Sequence, residues 1–171
     1  LIRRVNEGII GTDHFRFEVM DTIDRVLPTG QKIQLAHQRT YIVSRPDHIK
    51  AVTRGDELNV EAYFDGETFT WVDDTGNCYA QLEVPGTLDH LLDTLHEDYG
   101  VDTPLADLIY SDFFTPFLDD VFQADYLGLH LAGEYECHHL AFRQTNIDWQ
   151  IWIEEGERLR IRKLLITYKT I

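Results

Sequence analysis

The chain has 171 residues, 43% hydrophobic and 26% charged, which suits one folded domain with a sizeable core and leaves no room for several. Thirty acidic residues stand against fifteen basic ones, a net charge of −15. So negative a surface repels phosphate backbones and anionic membranes, which argues against nucleic acid as a partner and favours positive ligands or basic protein patches.

No apolar run approaches the roughly 18–20 residues needed to span a bilayer, so no transmembrane segment is expected. The chain begins at Leu1 rather than Met, and natural residues are expected upstream; no signal peptide is visible in the residues present. Cys78 and Cys137 sit in no CxxC pattern. They form one bridge if the sheet brings their Cα atoms within about 7 Å, and otherwise pack as small hydrophobes.

Residues 1–12 read as a helix, with Ile2, Val5 and Ile9 at helical spacing and Gly8 and Gly11 ending the pattern. The period then changes to two. From His14 to Leu27, Phe15, Phe17 and Val19 share one face and His14, Arg16 and Glu18 the other. Pro28-Thr29-Gly30 turns the chain, and Gln31 to Ser44 returns. Pro46 lacks an amide donor and suits a strand end. Further strands are expected at His48–Arg54, Leu58–Phe64, Thr68–Val72 and Cys78–Val84, with Asp65-Gly66 as a tight hairpin signal.

After Pro85-Gly86 the period becomes 3.6. Thr87 caps a helix whose stripe is Leu88, Leu91, Leu92 and Leu95, and Gly100 stops it. Thr103-Pro104 opens a second short helix carrying Leu105, Leu108 and Ile109, and Asp112 caps a third with Phe113, Phe117, Leu118 and Val121. Strand signals resume at Asp125–Leu131, Tyr135–Phe142, Ile147–Glu154 and Ile161–Ile171, so native sequence is expected to continue past the end. The expectation is a single mainly β (α+β) domain over residues 1–171, a curved antiparallel unclosed β-barrel. A short-helix insert at about 87–122 packs on its concave face, the one place to bury three greasy stripes.

Motifs for catalysis are missing. Ser44 and Ser111 lie in no Gly-x-Ser-x-Gly elbow, and there is no phosphate-cradling glycine loop. The pairs Asp73-Asp74, Asp119-Asp120 and Glu154-Glu155 are adjacent at turns and helix ends rather than opposed across a cleft. His138 and His139 alternate faces of one strand, and His90 and His96 are six apart on a helix, so neither pair has ligand spacing. One of the adjacent pair is expected to be a buried, hydrogen-bonded histidine. No catalytic residue, metal or cofactor is expected, and the chain is read as a non-enzyme.

The order of elements resembles that of bacterial periplasmic lipoprotein carriers and receptors, unclosed barrels whose helices plug an apolar cavity. Tyr41-Ile42-Val43-Ser44-Arg45-Pro46-Asp47 is similar to their strand-ending Arg-Pro-Asn segment, and Phe64-Asp65-Gly66-Glu67-Thr68-Phe69-Thr70-Trp71 to their hairpin. A closer resemblance is to an uncharacterised family of predicted periplasmic proteins within that Lol-like superfamily. It rests on Pro85-Gly86-Thr87-Leu88-Asp89, on the run from Pro104 to Asp112, and on Cys137-His138-His139 continuing through Trp149 and Trp152. The resemblance covers nearly the whole chain.

It implies a periplasmic or cell-envelope protein, with a signal peptide inferred upstream. It also implies that Arg45 faces the cavity and ties the helical lid to the sheet. A carbonyl or carboxylate of the insert is expected to accept from it, with Asp89, Asp93 and Asp107 as candidate acids; the alternative is a surface arginine that offsets local acids. Phe64, Phe69, Trp71, Trp149, Ile151 and Ile153 on strands, with Phe113 and Phe117 on the insert, are either ordinary core or the lining of an apolar cavity. The function expected is non-enzymatic binding of a hydrophobic ligand or acylated protein. The alternative is a solid-core interaction or sensory domain that meets a protein partner.

Overall fold

The computed structural model describes residues 1–101, 106–112, 114–157 and 159–169. Helix α1 (Ile2–Ile10) precedes six strands, β1 (His14–Val26), β2 (Lys32–Ser44), β3 (His48–Gly55), β4 (Asn59–Phe64), β5 (Thr68–Asp73) and β6 (Cys78–Glu83). Then come α2 (Leu88–Glu97), a 3-10 turn at Ala106–Ile109 and α3 (Phe114–Asp119). Four strands complete the order: β7 (Gln123–Ala132), β8 (Tyr135–Arg143), β9 (Ile147–Glu154) and β10 (Ile161–Tyr168). The protein is mainly β, with two antiparallel sheets, and among the described residues neither sheet closes on itself.

The chain divides into two compact units, Thr12–Ser111 and Leu1–Gly11 with Asp112–Ile171. The first holds the six-stranded meander β1-β2-β3-β4-β5-β6. Its short connections follow from local chemistry. Asp65 accepts from the amides of Glu67 and Thr68 at 3.1 and 2.8 Å, and Gly66 takes a φ of 90° that a side chain would resist. Asp73 does the same for Thr75 and Gly76 at 2.8 and 3.0 Å.

Register then sets the faces. Phe15 opposes Val43, Phe17 opposes Tyr41, Ile49 opposes Phe64, and Phe64 opposes Phe69. These apolar residues share one face, and α2 packs on it. Leu88, Leu91 and Leu95 enter a core with Tyr41, Val43, Phe64, Val84 and Ile109. Each such leucine contributes about 1.5–3 kcal/mol by leaving water, far more than helix propensity supplies over ten residues.

Of the expected second helix, the described part is a 3-10 turn at Ala106–Ile109. Its expected start at Thr103-Pro104, with Leu105, lies outside the described residues. The third begins at Phe114, and Phe113 is likewise outside.

In the other unit the sheet order is β10-β9-β8-β7. Strand β9 buries Trp149, Ile151, Trp152 and Ile153. Phe142 stacks on Trp149 with ring centroids 3.9 Å apart. In the same unit Asn6 of α1 donates to Asp112 at 3.3 Å.

Candidate functional site

Strand β2 ends at Ser44, and the chain turns through a cis Arg45–Pro46 peptide. The Arg45 side chain then reaches the segment after α2. One terminal nitrogen donates to the carbonyls of Ile109 at 3.2 Å and Tyr110 at 2.9 Å, and the other to the Thr12 carbonyl at 3.2 Å. Its guanidinium lies 5.0 Å from the centroid of the Phe15 ring. Burial draws the guanidinium below its ordinary value, opposed by the nearby carboxylates of Asp89 and Asp13. It remains charged at any ordinary pH.

Two acids of α2 complete the tie. Asp89 accepts from the Ser111 amide at 2.9 Å and the Ser111 hydroxyl at 2.5 Å. Asp93 accepts from the Tyr110 hydroxyl at 2.9 Å. At the start of α2, Thr87 accepts from the His90 amide at 3.3 Å, and Leu88 donates to the Pro46 carbonyl at 2.8 Å. A leucine stripe and a set of polar ties at its margin therefore hold the helical segment on the sheet.

Arg45 thus meets backbone carbonyls of the insert. Of the candidate acids, Asp89 and Asp93 bond Ser111 and Tyr110, and the side chain of Asp107 lies outside the described residues. Phe64 is buried in the core under α2, Phe69 packs against that core, and Trp71 follows on the same face of β5. Trp149, Ile151 and Ile153 are buried in β9 of the other unit, where the Phe117 ring meets Trp149 edge-on at 4.6 Å. The expected lining residues therefore form two groups, one in each unit.

Two polar clusters escaped the sequence reading. On the inner face of the six-stranded sheet, Asp21 accepts from Arg39 Nε at 2.7 Å and lies 3.3 Å from His37 Nδ1, with Thr53 3.4 Å from Arg39. All four lie on the face of Phe17 and Tyr41, three of them buried and Asp21 nearly so. Carrying the Phe15-Phe17-Val19 alternation two residues further would have placed Asp21 there. The other cluster joins His130 to His139 at 2.8 Å, and His139 Nε2 to Gln150 Oε1 at 2.9 Å, with the His139 ring stacked on Trp152. The carbonyl oxygen can only accept, so His139 donates from Nε2 and, in the neutral pair, accepts from His130 at Nδ1. His139 is buried and His138 only half-buried, as opposite faces of one strand require.

The cysteines are not bridged. Cys78 is exposed, while burial pushes the Cys137 thiol up. Among the described residues, no three His, Cys, Asp or Glu side chains group as a metal ion would need.

Together these features define a mainly β protein whose helical segment is held on the face of an antiparallel sheet by a leucine stripe and a polar latch. The chain belongs to the family described as Predicted periplasmic protein (DUF2092), whose model matches residues 1–171. Its compartment is accordingly the periplasm, and among the described residues no helix is long and apolar enough to cross a membrane. No curated protein matches the chain.

Proposed function

We propose that the protein is a non-enzymatic binder or carrier of a hydrophobic ligand, a lipid or the acyl chain of a lipoprotein, related to the lipoprotein carriers it resembles. The observation that carries this reading is the latch: an apolar sheet face covered by an apolar helix, with charged and polar contacts at the margin. An acyl chain that replaced the Leu88, Leu91 and Leu95 stripe would exchange one apolar surface for another. Each methylene contributes about 0.8 kcal/mol, so ten or so offset roughly what the three leucines lose on returning to water, and a longer chain also outweighs a latch of a few kcal/mol. Ligand then displaces the helix without any specific hydrogen bond.

The test is titration with an environment-sensitive fluorescent fatty acid, followed by displacement with lipid extract. Saturable binding is expected, and it should tighten in Arg45→Leu because a loosened cover populates the open state more often. No saturable binding at any chain length would end this reading. It would favour a second one, a solid-core interaction or sensory domain, which the near-complete burial of Tyr41, Phe64, Leu91 and Ile109 supports.

A further inference from the structure

We infer that the free edge of β7 docks an extended, apolar, lysine- or arginine-bearing strand of a protein partner. β7 ends the four-stranded sheet, and among the described residues no strand pairs with its other side. Its ten residues carry one charge, Asp125, in a chain that is 26% charged. The other sheet edges look different. β1 carries Arg16, Glu18, Asp21, Asp24 and Arg25, β10 carries Arg162 and Lys163, and β6 is only six residues long. Charges and shortness are how exposed edges avoid unwanted pairing, and β7, with one acid in ten residues, has little of either.

Its side chains are also uncovered. Tyr126, Leu127, Leu129 and Leu131 are exposed, Leu131 at 72%. A register shift between Tyr126 and Gly128 divides the edge, leaving Gly128–Ala132 as the regular run. Unpaired backbone groups beside alternating apolar side chains call for a strand, because a lipid surface satisfies the side chains alone. Charge chooses which strand. Asp125 on the edge strand and exposed Glu134 in the turn that follows it are both acidic, and a net charge of −15 disfavours a second copy of this chain. This inference goes beyond the ligand reading and does not depend on it.

The experiment titrates the isotopically labelled full chain with a ten-residue synthetic peptide alternating leucine or valine with lysine or threonine. Saturable binding is expected, with new protection of alternate amides in Gln123–Ala132. Leu129→Lys and Leu131→Lys should each weaken it about tenfold, while Met20→Lys on β1 leaves it unchanged. Absence of binding, equal binding by the lysine variants, or an equal loss in Met20→Lys overturns the proposal. So does a dimer of the protein alone, seen in sedimentation and dissolved by Leu131→Lys, since a second copy would then occupy the edge. Fluorescent fatty-acid binding by Leu131→Lys should match wild type, which keeps the two readings separable.

Discussion

Strand β2 alternates along its second half, with His37, Arg39, Tyr41 and Val43 buried and Ala36, Gln38 and Ile42 exposed. Strand β9 instead buries Trp149, Ile151 and Ile153 on one face and Trp152 on the other. The first pattern belongs to a sheet with one covered face, the second to a strand with buried side chains on both. A one-faced sheet owes its cover to a separate segment, and that segment can leave without dismantling the strands. A strand with buried side chains on both faces offers no such removable part.

Three substitutions bear on this contrast. Trp149→Ala should have the largest effect, about 3–5 kcal/mol of global stability, read from denaturant midpoints. Among the described residues its indole nitrogen meets no hydrogen-bond partner, so the expected loss is one of packing. Arg45→Leu should act locally, weakening the cover by about 1–3 kcal/mol. Hydrogen exchange should accelerate in Leu88–Glu97 and Ile109–Ser111 and stay unchanged in β2 to β4. If both variants unfold the whole chain equally, the distinction between a fixed core and a removable cover fails.

Asp65→Asn probes the smallest effect, in the hairpin of the one-faced sheet. The amides of Thr68 and then Glu67 hold the Asp65 carboxyl below its ordinary value. Its folded pKa is depressed, so its contribution is fully present above the unfolded value, near pH 4, and is lost as pH falls through the folded one. Exchange of the Thr68 amide should therefore rise on acidification in wild type and respond less in Asp65→Asn. An identical response in both would assign the acid sensitivity to other carboxylates.

Much of this was legible in the sequence, for reasons that particular residues make plain. Phe15, Phe17 and Val19 fixed the inner face of β1, Asp65-Gly66 the β4–β5 hairpin, and Leu88 to Leu95 the helix and its buried stripe. What escaped was whatever depends on pairing across distance. Alternation within a strand says which face a residue takes but not which sheet the strand joins: Trp71 belongs to the six-stranded sheet and Trp149 to the four-stranded one. The His130–His139 contact needed the β7–β8 register, which the shift near Gly128 alters. The polar group around Asp21 was missed because charged residues are ordinarily assigned to the wet face.

The Arg45 latch has an evolutionary consequence. Among the described residues its hydrogen bonds to the insert go to main-chain carbonyls, which every residue possesses, so those bonds ask nothing of the side chains that present them. The information for the tie is concentrated at one codon, and Lys cannot reproduce the planar fork whose two terminal nitrogens reach the insert and the Thr12 carbonyl together. The insert is therefore free to drift in sequence at the contact as long as its backbone path is kept, while position 45 is not. Natural variation around the latch should be lopsided, with an invariant arginine facing a changeable strip of chain.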